Sequence, residues 1–372
     1  MVPQRWSRWL VSEEAHRFGS GWISGTIGAI LGLAALATAV CRVLPTQLTT
    51  PALRDFYPLP LVHAALAVAV LAGFALGAVS LVLRRKQTLG SIAIGATLLA
   101  AALLALAPAG AVHPAAGPWL GLDVFVLNLL LYSALFLPLE RLWPHRAEQP
   151  TFRDAWWTDF AWFVSSALLL QSVAFLVTGP ARALSFASVP VLQHAIGSLP
   201  GPVQFVAIVA IADLVQYWVH RACHTLPWLW RCHRIHHSAT TMDWLAGSRL
   251  HTVDAVLTRA LVYVPLFLLG FDVAAIAAYL VFVAAQATFV HANVGWRLGW
   301  LEPWLVTPRY HHWHHAEAPA NVNFAVHLPV YDRWFGTLHL PGGEWPERYG
   351  LAVGDVGPRG FWRQLVAPFR RA

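Results

Sequence analysis

Charge is what this sequence lacks. Only 12% of its 372 residues are Asp, Glu, Lys or Arg, against about 25% in a soluble domain. A chain so poor in charge cannot cover a large water-facing surface, which places it among integral membrane proteins. Cysteine is scarce as well. Cys41, Cys223 and Cys232 are the whole set, too few for a disulfide framework; Cys223 and Cys232 lie in a histidine-rich stretch where thiols could bind metal, but they read as small filler on a helix face. The first twenty residues, MVPQRWSRWLVSEEAHRFGS, are too polar for the apolar core of a cleavable signal peptide. The zinc-protease pattern H-E-x-x-H is missing, because Arg221 follows His220 where that pattern needs its glutamate. The formal charge is +7 and the pI about 9.8. Nearly all of that basicity is arginine in short groups between apolar runs, not gathered on one soluble face. This is a membrane-topology signal and argues against a nucleic-acid partner.

Apolar residues make up 57% of the chain, with a mean hydropathy of +0.54. A spanning helix needs about 20 mostly apolar residues, and the runs 21–41, 60–83, 90–112, 119–139, 157–178 and 201–219 meet that length. A longer run, 260–290, contains Pro265 and a Gly270-Phe271-Asp272 break, and reads as a hairpin of two short helices. The expected fold is therefore all-α: a polytopic transmembrane helical bundle. Arg5, Arg8 and Arg17, then Arg84, Arg85 and Lys86, then Arg141, Arg146 and Arg153, then Arg221, Arg231 and Arg234 fall on one side when spans are counted alternately. Positive residues mark that side as cytoplasmic. The tail, 341–372, ends in GFWRQLVAPFRRA, where Phe361, Trp362, Leu365 and Phe369 with Arg363, Arg370 and Arg371 suit either an interfacial helix or a loosely packed end.

Histidine is concentrated. Five of the eighteen histidines precede residue 220, and eleven fall between 220 and 315. They form groups with helical spacing: His220-x-x-x-His224, His233-x-x-His236-His237 and His311-x-x-His314-His315. Residues three and four apart share a helix face, so each group can present imidazoles to one ion. His312 falls off the spacing, while His251 and His291 are single candidates. Ten spaced imidazoles are too many for one tetrahedral ion and suit two. Imidazole binds iron, zinc, copper and nickel alike. Haem would take paired axial ligands from within spans, whereas these groups sit at span ends. A transporter would place its ligands mid-span. His63, His113, His145 and His194 read as polar interfacial residues. Metal-bound histidine usually donates its second N–H to a carboxylate or carbonyl. Asp213, an acid within an apolar span and on the stripe of His220 and His224, is the expected orienting group. Asp254 and Asn293 are weaker candidates for that role.

The blocks DLVQYWVHRACH, HRIHHS, SRLH, HAN, TPRYHHWHH and NFAVHLPVYDRWFGT, in that order, make the chain resemble the fatty acid hydroxylase/sterol desaturase superfamily over roughly 119–340. The resemblance implies a membrane enzyme with two iron ions that uses O2 to hydroxylate a C–H bond of a lipid, or, by the same centre, to desaturate it. It implies a metal-binding cap made of His220, His224, His233, His236, His237, His251, His291, His311, His314 and His315. Asn321 and Asp332 match positions that look structural. Gly295 stands where some members carry a further histidine, which leaves His251 or Asn293 to complete one ion's shell. The chain carries no flavin, haem or iron–sulfur motif, so a separate electron donor of ferredoxin or cytochrome type is expected. Residues 1–118 lie outside the resemblance and read as added spans.

Overall fold

The computed structural model describes residues 19–84, 87–106, 119–172, 179, 183–184, 189–296, 298–352, 354–355 and 357–370. Its main helices are α1 (Trp22–Val43), α2 (Pro60–Leu83), α3 (Thr88–Leu106), α4 (Leu122–Leu142), α5 (Trp156–Ser172), α6 (Gly201–Thr225), α7 (Pro227–His237), α8 (Thr252–Leu269), α9 (Val273–His291), α10 (Pro308–His314), α11 (Val330–Trp334) and α12 (Phe361–Val366). Among the described residues there is no strand, only the isolated bridges Pro144–Val294 and Ala316–Tyr349. Seven helices, α1 to α4 with α6, α8 and α9, are long and apolar enough to cross a membrane. The protein is a multi-pass, all-helical membrane protein.

The expected spans shift in informative ways. The run 201–219 continues as α6 to Thr225, so His220 and His224 ride on the last turns of the helix and not beyond it. The 260–290 hairpin is two full-length helices of 18 and 19 residues, because α8 starts at Thr252. Gly270 ends α8 in the left-handed region at φ 76°, a conformation glycine adopts without steric cost. The run 157–178 appears as α5 up to Ser172, and 173–178 lie outside the described residues. Also outside them are Arg5, Arg8, Arg17, Arg85, Lys86, His113, Arg371 and the end of the 90–112 run.

The described residues divide into two compact units. One lies within Met1–Leu130 and Ala167–Ser172, the other within Leu131–Ser166 and Val173–Ala372. In the first, α1, α2 and α3 approach closely through small residues. A Cβ on Gly28 would stand 3.0 Å from the Gly77 nitrogen and 3.1 Å from the Gly73 oxygen, and one on Gly77 would stand 2.8 Å from the Ala93 Cβ. Lipid tails are as apolar as leucine, so helices in a bilayer associate by such close packing and not by hydrophobic burial.

In the second unit α6, α8 and α9 share a core of Ile208, Val209, Ala212, Val262, Leu266, Ile276 and Tyr279. Beside it, Tyr217, Val290, Val306, Tyr310, Phe324, Ala325 and Tyr331 form a second cluster. This one fixes the non-helical segments around 306 and 324 against α6 and α9. The tail is not loose. The Gln364 side chain accepts from Trp162 Nε1 at 2.7 Å, and Phe361 packs edge-on against Trp162, while Trp362 and Phe369 stay exposed.

Gly28→Val or Gly77→Val should lower the thermal midpoint of the detergent-solubilised protein, by about 1–3 kcal/mol of overpacking. Gly95→Val, where an added Cβ meets nothing within 4 Å, should leave it unchanged.

Candidate metal centre

Four pieces of chain bring histidines to one end of the second unit. The end of α6 carries His220 and His224, and the last turns of α7 carry His233, His236 and His237. His291 is the last residue of α9, and α10 with its C-cap supplies His311, His314 and His315. The α6–α7 corner is tight because Leu226 leaves helical geometry and Pro227 starts the next helix, a first-turn position where proline's missing N–H costs nothing.

Nine imidazoles gather in two groups. His220, His224, His233, His237 and His314 form one, and His236, His291, His311 and His315 the other. Within each group the candidate donor atoms lie within 4.8 Å of one another. Two nitrogens on one ion at about 2.0–2.1 Å stand at most about 4.2 Å apart, so both groups are near binding geometry. The groups share a wall, with His237 stacked on His315 at 4.5 Å between ring centroids and His311 on His314 at 5.3 Å.

The two H-x-x-H-H boxes are split between the groups in opposite senses. In α7 the i and i+4 members, His233 and His237, join the five-histidine group, while the i+3 member His236 crosses to the other. In α10 the i and i+4 members, His311 and His315, join the four-histidine group, and His314 crosses back. Each box therefore bridges both groups.

Outer ring nitrogens set the tautomers. Nδ1 of His220 lies 2.8 Å from the Phe324 carbonyl oxygen, that of His233 2.7 Å from Asp254 Oδ2, and that of His314 2.8 Å from the Val322 oxygen. In the second group Nδ1 of His236 lies 3.1 Å from the Arg249 oxygen, and that of His291 2.7 Å from the Ala287 oxygen. Each of these acceptors requires a proton on Nδ1, which leaves a bare lone pair on Nε2. Those lone pairs face one another, His220 against His233 at 3.2 Å and His291 against His236 at 3.3 Å, and Nε2 of His311 lies 3.0 Å from that of His291. Nε2 of His224, His237 and His314 is buried with no hydrogen-bond partner. Buried acceptors without a donor are costly, and a cation among them removes the cost. The residues present fit a metal.

Five of the rings stay neutral. Burial first, then the neighbouring histidines, holds His236, His237, His311 and His315 well below the usual imidazole range. The same order of causes applies to His314, offset in part by its bond to Val322. Neutral imidazole is the form that binds metal.

Three expectations are corrected. His251 joins neither group. It caps α8, its Nδ1 accepting from the Val253 N–H at 3.2 Å and its Nε2 bonding the Leu365 oxygen at 3.0 Å, so both ring nitrogens are used. Asp213 orients no histidine. Its carboxylate accepts the backbone N–H groups of Val326, His327 and Leu328 at 2.6–3.1 Å, pinning the chain that carries Phe324 beside α6. Asn293 bonds the backbone N–H and oxygen of Arg146, not a ring. The histidine some relatives carry at 295 has no room: a Cβ on Gly295 would stand 3.1 Å from backbone atoms of Pro144 and His145.

Asp254 is the carboxylate that holds a candidate ligand. Asp332 also anchors the site, accepting from the N–H groups of Phe324 and Ala325 and the Tyr310 hydroxyl. His312 bonds the Tyr349 hydroxyl at 2.9 Å and the His291 oxygen at 3.3 Å, outside both groups. Cys223 and Cys232 are buried, and burial pushes the Cys232 thiol up to about 11, which keeps it protonated filler. Sequence reasoning missed Arg153, Asp159, Asp243 and Arg249, a buried ion network. The available signal was an acid, Asp159, amid the aromatic run WWTDFAWF of a charge-poor chain.

Comparison with known proteins agrees with this geometry. The family model described as fatty acid hydroxylase matches residues 205–337. The ornithine lipid hydroxylase OlsE of Rhizobium tropici is 31% identical over 268 residues, 67% of this chain and 76% of that protein. The alkylglycerol monooxygenase of Danio rerio is 33% identical over 128 residues, 34% of this chain and 28% of that longer protein. Methylsterol monooxygenase 1-1 of Arabidopsis thaliana is 26% identical over 182 residues, 45% of this chain and 59% of that protein. No solved structure is significantly similar.

His237→Ala should lower the metal content of the purified protein by emptying the five-histidine group, and His251→Ala should retain the full content. Elemental analysis by mass spectrometry reads both outcomes.

Proposed function

Because the chain belongs to the fatty acid hydroxylase family, we propose that it is a membrane di-iron oxygenase that hydroxylates a C–H bond of a lipid. The observation that carries this reading is the pair of buried imidazole groups with inward Nε2 lone pairs and a shared wall. His220, His224, His233, His237 and His314 would hold one ion, and His236, His291, His311 and His315 the other. Bound there, two ferrous ions would supply the O2 activation that hydroxylation requires.

The chain's own residues hold, orient and shield. Asp254 and the carbonyls of Phe324, Val322, Arg249 and Ala287 fix five rings in one tautomer, which orients the lone pairs before any ion arrives. Phe324 packs against His220, His224 and His314, and Trp230 against His224 and His237. These rings exclude water from the five-histidine group. The site lies where α6 and α9 end and α8 begins, a position that suits a lipid carbon presented at the membrane boundary. One oxygen atom enters the substrate and the other leaves as water, consuming two electrons and two protons. The sequence shows no flavin, haem or iron–sulfur motif, so a separate donor of ferredoxin or cytochrome type supplies the electrons. The arginine pattern, with Arg141, Arg146, Arg153, Arg221, Arg231 and Arg234 near the histidine end, supports a cytoplasmic site facing that donor.

The relatives named above are hydroxylases and monooxygenases, which favours hydroxylation over desaturation and over a metal-binding protein without turnover. Among lipids, an ornithine-bearing lipid is the first to test, since the ornithine lipid hydroxylase matches 67% of the chain. The catalytic region is 119–340, with 1–118 an added group of spans and 341–372 a docked tail.

Lipids extracted from a deletion strain should contain a species lighter by one oxygen than its counterpart in the complemented strain. Identical profiles in the two strains would remove the lipid-hydroxylase reading. Purified protein should carry about two ions per chain, counted over all metals because zinc can displace iron.

A further inference from the structure

A chain of four charges is buried beside the four-histidine group. Arg153 makes two bonds to Asp243, 2.8 Å from Nε and 2.6 Å from the terminal nitrogen, and that same terminal nitrogen bonds Asp159 at 2.6 Å. The other Asp159 oxygen accepts from Arg249 Nε. Side-chain exposures are 2% for Arg153, 0% for Asp159, 5% for Asp243 and 3% for Arg249. Two acids and two bases balance, but burying four charges is poor value for stability alone and is better explained where it fixes one arrangement.

What it fixes is the turn from Asp243 to Arg249. Asp243 Oδ1 also accepts the backbone N–H groups of Leu245 and Ala246, which starts the short 3-10 turn Ala246–Ser248. Arg249 ends the turn, its guanidinium held by Asp159 and by the Ser238 hydroxyl. This turn meets two of the four rings. The Arg249 carbonyl oxygen faces Nδ1 of His236. Gly247 lies so close to His291 that an added Cβ would stand 2.8 Å from its Nδ1. The rings of the five-histidine group take their outer bonds elsewhere, from Asp254, Phe324 and Val322.

We propose that Asp243, Arg153, Asp159 and Arg249 are positioning residues for the four-histidine group, acting through the 243–249 turn and leaving the five-histidine group alone. The proposal rests on the metal-centre reading above. The two ions would thus be held by separate supports: a carboxylate on a ring in one group, and a charge-clamped turn in the other.

The test uses full-length protein in detergent, stripped of metal and titrated with Co2+. His237→Ala disables the five-histidine group and His315→Ala the four-histidine group, so each background reports one site. Asp159→Asn should weaken Co2+ binding at least about 10-fold in the His237→Ala background, the usual effect of losing an outer-shell support. It should change nothing in the His315→Ala background, and Asp254→Asn should give the reverse pattern. Gly247→Ala, which leaves every charge in place, should weaken the same site as Asp159→Asn and serves if that variant misfolds. Arg249→Lys should recover part of the affinity that Arg249→Met loses. Equal weakening in both backgrounds, or none in either, would overturn the proposal and leave the network a structural staple. A wild-type protein that takes up no Co2+ would overturn the metal centre and this inference with it.

Discussion

Everything at the functional end depends on one unfavourable arrangement, the burial of imidazole lone pairs facing one another. The Nε2 atoms of His220 and His233, and of His291 and His236, stand 3.2–3.3 Å apart with both outer nitrogens protonated, so their lone pairs repel. Such a cluster persists only if the surrounding chain over-determines each ring. Five of the nine outer nitrogens are accordingly bonded to a carboxylate or to backbone carbonyls from several different segments. A cation placed there would convert the mutual repulsion into coordination.

The acids of this charge-poor chain divide the labour of holding that arrangement. Asp254 touches a ring directly. Asp213 and Asp332 act one step back, each accepting backbone N–H groups of the 324–328 segment. That segment is non-helical yet packs against mid-helix residues of α6, Tyr331 nearby reaching the Ala210 oxygen. Irregular backbone at such a depth survives only when its polar groups are satisfied by protein, and the two carboxylates do this. The Asp243–Arg153–Asp159–Arg249 network acts on the opposite side, through a turn. An acid in an apolar span thus marks the neighbourhood of the site without being part of it.

Much of the architecture was legible in the sequence because the bilayer imposes a simple length rule. The spans follow from apolar runs, and the hairpin follows from a glycine between them. The errors occur where polar residues belong to a helix for reasons other than burial in lipid. Helix α6 runs on through His220 and His224, and α8 begins at Thr252, before the apolar run does. Histidine spacing likewise identified eight of the nine imidazoles that gather, since i, i+3 and i+4 place side chains on one face, and His291 was a single candidate. His251 carried no such spacing and proved to be a helix cap, a role that depends on which backbone N–H it meets.

The sequence by itself determined the class of molecule, the helices and the chemistry, because composition, run length and helical periodicity are local properties. Only the tertiary structure decided the partition. Spacing cannot say that His236 leaves His233 and His237 for another group, or that His314 leaves His311 and His315, because the choice depends on which helix stands opposite each ring. Nor can it say that Asp254 rather than Asp213 bonds one of the gathered histidines. Both are acids within apolar segments, and what separates them is where their carboxylates point once α6, α8 and the 324–328 segment have packed.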